Sequence, residues 1–456
     1  MRRQVRGFLA MLIYNTHSGL RGWLSAWALG SLALAILLSA APWARAAHAK
    51  LTVVTRSYAV PDPFGPVPTL NDLSQSGLML FDLVPGGPAP AAYRKQGFLS
   101  LLRPGELKPS LQIGLPEMAD YAQQAGNYRD TQPGPFRFSP DGKSIIGIQI
   151  PWLVLISLEA QKEVRRVRPC GQELVWMKSR DNDYAYPPVP SRPEQMRMVI
   201  SSRDGLVAAS CVVKGGAEVV ILDAELKGAL VRWTVPEPVQ DLAWSPDGKQ
   251  LALLFYDPPW PYDPKTGKVV RPPSPYPVKP NVAIFDPTGG KELLRFNTSA
   301  FDAKITFSPD GNTIFSISHH LLEGGYSFGA WGRDTLRAFD SKTGEMKERM
   351  VVPGTGVRDN FAVSPDGSLI VAESTKDIAV PLWREPGTAY GEDYGFVILD
   401  SSTGAVLFKE KLRRPGFLTD QLLPLFFSAD GKQVVANFNS LDASNVTDIN
   451  VYSIAR

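Results

Sequence analysis

Two stretches of this chain read almost alike: Phe136–Gln149, "FRFSPDGKSIIGIQ", and Leu242–Phe255, "LAWSPDGKQLALLF". Four further copies share their central motif and recur at intervals of 40–65 residues. These are "SSRDGLVAA" from Ser201, "FSPDGNTIF" from Phe307, "VSPDGSLIV" from Val363 and "FSADGKQVV" from Phe427. Repetition at this spacing indicates a solenoid, a propeller or another repeat array.

Each copy places a turn between two apolar, β-rich runs. Proline sets φ for the first corner of a type I turn, aspartate bonds nearby amides, and glycine adopts the left-handed conformation that closes a hairpin. The motif therefore predicts strand–turn–strand, and we interpret its aspartates as structural turn residues. They are Asp141, Asp204, Asp247, Asp310, Asp366 and Asp430.

A second repeated element follows most hairpins: an apolar run that ends in aspartate and glycine. Its copies are "LMLFDLVPGG" from Leu78, "VVILDAELKG" from Val219, "VAIFDPTGG" from Val282, "LRAFDSKTG" from Leu336 and "FVILDSSTG" from Phe396. We interpret each copy as a third strand that leads into a fourth. The fold class is then all-β: a single β-propeller of four-stranded antiparallel blades.

The number of blades follows from six turn motifs plus an N-terminal pair of strand-like runs at Leu51 and Leu78. Seven blades are expected, with eight or six as alternatives. The last unit ends one strand short at "INVYSIAR", so N-terminal residues are expected to complete the ring, which leaves no open sheet edge.

The Phe/Trp-Ser-Pro-Asp-Gly-Lys pattern resembles the TolB-like, WD-repeat-like propeller repeats of exported bacterial proteins. The resemblance extends over nearly all of residues 50–456. It implies a propeller fold and an exported protein, and it does not specify a ligand.

Export is also predicted by residues 1–49, which hold five arginines and no acid around an uncharged stretch from Gly22 to Ala44. Small-residue sites at Ala44–Ala46 and Ala47–Ala49 follow, as in a secretory signal peptide. An uncleaved signal anchor is the alternative, because 23 uncharged residues are long enough to cross a bilayer. The expected domains are thus 1–49, the signal segment, and 50–456, the propeller. The propeller would be periplasmic or secreted, or held outside a membrane by the anchor.

Charge argues against nucleic acid as a partner. The whole chain has 48 basic and 45 acidic residues, but five of the basic residues belong to the signal segment. The remaining 43 basic and 45 acidic residues provide no broad basic field for nucleic acid or an anionic membrane.

Irregular sequence is concentrated in connections that a propeller places on one face. We expect long loops over 58–76, 98–135, 179–198, 257–280, 319–334 and 375–394, and tight turns on the opposite face, with little room there for a pocket. Long loops on a rigid scaffold commonly carry function. The predicted binding residues are Trp260, Tyr262, Trp331, Trp383 and Tyr390, with acids at Asp263, Asp334 and Glu392. The alternative is that these aromatic residues pack on each other to order the loops.

Two smaller predictions concern these loops. Residues 115–126, "LPEMADYAQQAG", are typical of a short helix that would serve as a lid or a packing plug. Cys170 and Cys211 are the only cysteines and are expected to form a disulfide in an oxidising compartment.

Catalytic motifs are scarce. The propeller segment has two histidines, His319 and His320, and neighbours on a strand point to opposite sides, which disfavours a shared metal. No nucleophile-elbow or haem motif occurs. We therefore expect a non-catalytic propeller, without a cofactor or metal, that binds a protein partner or small ligand on its long-loop face. Two alternatives remain: a lactonase-like hydrolase with a channel-bound metal, and a subunit of a periplasmic redox complex resembling amine dehydrogenase heavy chains.

Overall fold

The computed structural model consists of β-strands joined by turns. It describes residues 52–61, 69–83, 97–103, 110–115, 136–149, 151–172, 196–255, 262–263, 268–269, 280–298, 301–319, 335–350, 356–381, 388–411, 421–439 and 446–455. Within these residues no helix has the length and hydrophobicity needed to cross a membrane. The signal segment predicted for residues 1–49 lies outside the described part of the chain.

The strands number thirty over the described residues. In chain order they are β1 (Thr52–Pro61), β2 (Thr69–Leu73), β3 (Met79–Leu83), β4 (Gly97–Leu102), β5 (Leu111–Leu115), β6 (Phe136–Phe138), β7 (Ser144–Gln149), β8 (Trp152–Ser157), β9 (Lys162–Val167), β10 (Met196–Ile200), β11 (Val207–Val213), β12 (Gly216–Leu222), β13 (Ala229–Val235), β14 (Val239–Trp244), β15 (Leu251–Phe255), β16 (Tyr262–Asp263), β17 (Lys268–Val269), β18 (Val282–Asp286), β19 (Lys291–Phe296), β20 (Phe301–Phe307), β21 (Thr313–His319), β22 (Thr335–Asp340), β23 (Met346–Met350), β24 (Gly356–Val363), β25 (Leu369–Pro381), β26 (Thr388–Asp400), β27 (Val406–Lys411), β28 (Gln421–Phe427), β29 (Gln433–Asn439) and β30 (Val446–Ala455).

Seven antiparallel four-stranded sheets form the blades of a β-propeller, as predicted. We number them along the chain: blade 1 is β2–β5, blade 2 is β6–β9, blade 3 is β10–β13, blade 4 is β14, β15, β18 and β19, blade 5 is β20–β23 and blade 6 is β24–β27. Blade 7 combines β28, β29 and β30 with β1 as its outermost strand. The predicted ring closure by N-terminal residues is thereby confirmed.

Hydrophobic layers between neighbouring blades form the core. One layer joins blades 2 and 3, where Ile146 and Leu153 of one sheet pack near Val207 and Val220 of the next, and all four side chains are fully buried. Similar layers join the other neighbouring blades for which a cluster is described, including blades 7 and 1. Blades 1 to 5 are thus buried on both faces, and apolar burial holds neighbouring blades together.

The repeated turns explain why the sequence repeats itself. In most blades the proline of one turn lies against the glycine of the turn in the next blade. A Cβ atom added to Gly311 would lie 3.6 Å from Pro246 Cδ, and one added to Gly367 would lie 3.3 Å from Pro309 Cδ. These glycines also have φ near +73°, which other residues rarely adopt. The motif therefore serves both the hairpin within a blade and the contact between blades.

The turn aspartates bond within their own turns. In five of the six motifs the serine hydroxyl donates to the aspartate Oδ1 over 2.5–2.7 Å. Asp141 also accepts a hydrogen bond from Lys143 N at 3.0 Å. Such hydrogen bonds favour the ionised carboxylate, and they hold the pKa of Asp141 and of Asp430 below the ordinary aspartate value.

Blade 3 departs from the motif because Arg203 replaces the proline. Its Cδ would lie 3.6 Å from a Cβ atom added to Gly248, as proline Cδ does in other turns, and its guanidinium Nη1 also donates to the Asp247 carbonyl of blade 4 over 2.5 Å. Blade 1 departs further: its turn is Ser74-Gln75-Ser76-Gly77, with Gly77 at φ +80°. This degenerate seventh copy lacks both proline and aspartate, and our sequence comparison missed it.

The structure corrects several predicted segments. The run from Leu78 is the second strand of blade 1, not a third strand. The predicted loop 58–76 includes the end of β1 and all of β2, and the predicted loop 98–135 includes most of β4 and all of β5. Leu115 ends β5 and therefore does not begin a helix; the rest of that predicted helix lies outside the described residues. Residues 375–394 are mostly strand, because β25 and β26 continue their pairing through that region.

Candidate binding face

Propeller topology divides the connections between two faces. The long-loop face carries the links between second and third strands and between successive blades; the short-turn face carries the other links. On the long-loop face, residues 256–281 join β15 to β18, and residues 320–334 join β21 to β22. Turns such as 308–312 and 341–345 occupy the short-turn face. The predicted asymmetry between the faces is present, although the links 150–151 and 214–215 on the long-loop face are short.

The predicted binding residues belong to connections of three consecutive blades, 4, 5 and 6. Tyr262 lies in β16, a two-residue strand that pairs with β17 inside the blade 4 connection. Tyr390 lies in β26, opposite Ala379 of β25. Trp260, Trp331 and Trp383 lie outside the described residues, as does Asp334. The topology therefore places the strand ends that flank these connections on one face. That the three tryptophans bind a partner there stays a prediction.

A disulfide fixes the first residues of another connection on the long-loop face, as predicted from the two cysteines in the sequence. Cys170 follows β9 of blade 2, and Cys211 lies near the long-loop end of β11 in blade 3. Their Cα atoms are 6.4 Å apart, which is within the usual range for a disulfide. Both residues are buried in the layer between the two blades. The connection that begins at residue 168 is therefore covalently attached to the neighbouring blade.

Glu218 reinforces this attachment. It lies opposite Cys211 in the β11–β12 ladder and is buried. Its Oε2 accepts hydrogen bonds from Gly171 N at 3.0 Å and Gln172 N at 3.2 Å, while Oε1 accepts one from Arg232 Nη1 at 3.0 Å. A buried carboxylate is stable only when paired in this way. Sequence reasoning missed Glu218, because two of its three partners, the amides of Gly171 and Gln172, are more than 40 positions away in the chain.

A cleft of about 400 Å³ adjoins this attachment on the long-loop face. Its lining includes the backbone of Lys214–Ala217, the segment Thr234–Pro236 and Gln172. A second cleft, of about 300 Å³, lies on the short-turn face between blades 5 and 6, near Asp310, Lys347 and Ser401.

Charged side chains on the innermost strands connect neighbouring blades. Asp72 Oδ2 of blade 1 accepts a hydrogen bond from Phe138 N of blade 2 at 2.7 Å, and Asp241 Oδ2 of blade 4 accepts one from Ile305 N of blade 5 at 2.9 Å. Lys304 Nζ of blade 5 donates to the Phe361 carbonyl of blade 6 at 3.0 Å. These groups therefore satisfy edge groups of the adjacent innermost strands.

Burial dominates the ionisation of these groups. Desolvation raises the pKa of Asp72 and of Asp241, although Arg137 and Lys304, respectively, act in the opposite direction. Desolvation likewise lowers the pKa of Lys304, against the attraction of Asp241. Since each group is already engaged with a neighbouring blade, we interpret this inner ring of charges as structural.

Removing one member of the ring should destabilise the propeller. We expect Asp241→Ala to lower the free energy of unfolding by about 3 kcal/mol, because it leaves the Ile305 amide without its acceptor and removes the carboxylate whose charge favours the buried Lys304 cation. The double variant Asp241→Ala/Lys304→Met should recover part of that loss, since the unpaired cation is gone. Urea unfolding of the single and double variants measures both values. Strictly additive losses would show that the two charges are not coupled.

The described residues contain no cluster of three or more His, Cys, Asp or Glu residues placed to hold a metal ion. His319 is the last residue of β21, and His320 lies outside the described residues.

Comparison with known proteins supports the fold alone. No family model matches the chain, and no curated protein matches it. Among solved structures, the WD40 domain of Toxoplasma gondii coronin has a TM-score of 0.52 and 10% identity, covering 89% of this chain and 87% of that domain. Kuenenia stuttgartiensis hydrazine synthase has a TM-score of 0.46 and 14% identity, covering 67% of this chain and 76% of that one. The chain is a seven-bladed β-propeller.

Proposed function

We propose that this protein is an exported, non-catalytic β-propeller of the TolB-like kind that binds a partner protein or ligand through its long-loop face. The observation that carries the proposal is the concentration of long connections on one face, among them residues 256–281 of blade 4 and 320–334 of blade 5. A rigid ring of seven blades supports these connections, and the disulfide and Glu218 fix another connection on the same face. Binding surfaces are commonly built in this way, with variable loops on a rigid scaffold.

Export is supported by the arrangement of basic, apolar and small residues in 1–49 and by a disulfide, which persists in oxidising compartments. We expect N-terminal sequencing of the mature protein to begin near Ala47 or Lys50. A mature chain that begins at Met1 and fractionates with membranes would show that the signal segment is retained as an anchor.

The binding face is tested by variants on the two faces. We expect Trp331→Ala or Trp383→Ala to weaken partner binding by more than about 1 kcal/mol, roughly fivefold or more, without loss of folding, as removal of an interface anchor does. The partner is first identified by affinity pull-down with the native exported protein, and its affinity is then measured for each purified variant.

Lys249→Ala and Lys432→Ala are the matched controls, because both lysines follow glycines of the repeated turns on the short-turn face. Neither change should alter the affinity. Binding that survives the tryptophan changes and is lost with the lysine changes would move the site to the short-turn face, where the second cleft lies.

A further inference from the structure

Three consecutive blades carry a charged residue at the same point of their innermost strand. Arg197, Asp241 and Lys304, in blades 3, 4 and 5, each lie four residues before the serine of the repeated turn. The next residue along each strand is buried in the layer toward the preceding blade; these residues are Met198, Leu242 and Ile305. Successive residues of a strand point to opposite sides, so the three charged side chains point away from that layer.

Two of these three side chains are engaged with the following blade. Asp241 accepts a hydrogen bond from Ile305 N, and Lys304 donates one to the Phe361 carbonyl. Arg197 differs from them, because its Nε atom is excluded from solvent and makes no hydrogen bond to any described residue. Leaving a buried donor of a charged group unsatisfied is costly, and in native proteins such a group commonly has a water or an ion as its partner. Arg197 is therefore the point of the inner ring where a ligand would improve the hydrogen bonding.

The charged side chains of the innermost strands face one enclosed space, which we call the central channel. They are partly buried, so solvent reaches them, yet burial is the largest influence on the pKa of Asp72, Asp241 and Lys304. The Arg137 guanidinium of blade 2 lowers the pKa of Lys304 in blade 5 further. Blades 2 and 5 are three places apart in the ring, so the two cations act on each other across the channel. Charges in such a space interact more strongly than they do in bulk water.

Basic groups outnumber acidic groups among the described side chains of the innermost strands. There are three basic residues, Arg137, Arg197 and Lys304, and two acidic residues, Asp72 and Asp241. Both acids already accept backbone hydrogen bonds from the following blade. Arg137 attracts Asp72, while Lys304 and, more weakly, Arg197 attract Asp241. One positive charge of this described set is thus left over, and Arg197 has an unused donor, so an anion beside Arg197 would balance the charge.

We propose that Arg197 binds a small oxyanion, such as inorganic phosphate or a short carboxylate, in the central channel. Arginine is suited to this ligand because its planar guanidinium presents two parallel N–H donors to a pair of anion oxygens, and such bonds are strong when both partners are charged. Arg137 and Lys304 contribute positive potential from other parts of the channel, while each keeps its own backbone hydrogen bond. Asp241 opposes the anion and limits the affinity. This inference goes beyond the proposed function and does not rest on the long-loop connections.

Thermal unfolding of the mature protein tests the proposal. The native protein and Arg197→Gln are compared in sodium phosphate, sodium acetate and sodium chloride at the same pH and ionic strength, because a ligand of the folded state raises the unfolding midpoint. We expect phosphate or acetate to raise the midpoint of the native protein above its value in chloride, and to raise that of Arg197→Gln less. The comparison between variants removes the general stabilisation that phosphate gives to any protein. The oxyanion with the larger difference identifies the chemical type of the ligand.

Titration calorimetry with that oxyanion measures the affinity. Arg197→Gln should weaken binding about tenfold or more, and Arg197→Lys, which keeps the charge and loses the forked donors, should weaken it by a smaller factor. Asp241→Asn keeps an acceptor for Ile305 N and removes the opposing charge, so it should tighten binding about threefold or more. The matched control is Arg168→Gln, which removes an exposed arginine next to the end of β9 and should leave the affinity unchanged. The midpoints in chloride show that each variant is folded.

Three results would overturn the proposal: equal midpoint shifts in the native protein and Arg197→Gln, equal affinity of these two proteins, or an equally large loss of affinity in Arg168→Gln. The first of these would show that water alone satisfies the Arg197 guanidinium. A failure here is distinct from a failure of the proposed function, because Trp331→Ala should leave oxyanion binding intact and Arg197→Gln should leave partner binding intact.

Discussion

Gly216→Ala is expected to lower the free energy of unfolding by about 4 kcal/mol, the sum of backbone strain and overpacking. Gly216 begins β12 at φ +150°, and a Cβ atom there would lie 2.0 Å from the Val235 carbonyl oxygen and 2.8 Å from the Pro236 carbonyl carbon. Both obstacles are backbone atoms of the adjacent outer strand and its extension, so they cannot move aside as the end of a flexible side chain can. The whole strand would have to shift.

Gly215 supplies a matched control in the same turn. Its φ is +89°, but a Cβ atom added there would meet nothing within 4 Å. Gly215→Ala therefore costs only backbone strain, about 1 kcal/mol. Urea unfolding of the two variants, measured side by side, separates strain from close approach. Equal losses would show that β12 and the Val235–Pro236 backbone are not in contact at this point.

Loss of the disulfide is expected to have an effect of similar size. Cys170 and Cys211 are 41 positions apart, and closing a loop of that length stabilises the folded state by about 4 kcal/mol in the chain-entropy model. The double variant Cys170→Ala/Cys211→Ala should lose that amount. Alanine is used at both positions because both side chains are buried, and a serine hydroxyl would lack a partner there.

Reductant provides the internal control for the disulfide. Dithiothreitol should lower the stability of the native protein to that of the double variant and leave the double variant unchanged. Alkylation of the unreduced, denatured protein followed by mass spectrometry should find neither cysteine labelled. Two labelled cysteines in protein from its natural compartment would show that the bond does not form there.

The features that the sequence predicted correctly depend either on residues that are close together in the chain or, for the disulfide, on the presence of only two cysteines. The Ser-Pro-Asp-Gly motif specifies a hairpin through its own hydrogen bonds, so the blades could be counted from it. Two cysteines allow only one intramolecular disulfide. The degenerate turn at Ser74 was not recognised because it has lost the proline and the aspartate, the two most informative residues of the motif. Only the serine and the glycine remain.

The features that it missed depend on the register between distant strands. Asp241 and Lys304 stood in apolar runs without visible partners, because each bonds to a backbone group of the next blade, about 60 residues away. Residues 375–394 were predicted as loop because glycine, proline and charged residues interrupt their strand pattern. The pairing there follows from the continuation of the β25–β26 hairpin, whose register is set by its buried part.

Ring closure also orders the events of folding. The pairing of β1 with β30 joins Thr52 to Ala455, residues roughly 400 positions apart, whereas other strands pair mainly with neighbours a few tens of residues away. Six blades can therefore assemble from nearby segments, but the seventh requires the last strand of the chain to meet one of the first. Because the other six blades can bring the two ends of the ring together, we expect the pairing of β1 with β30 to depend on the packing of those blades rather than to precede it.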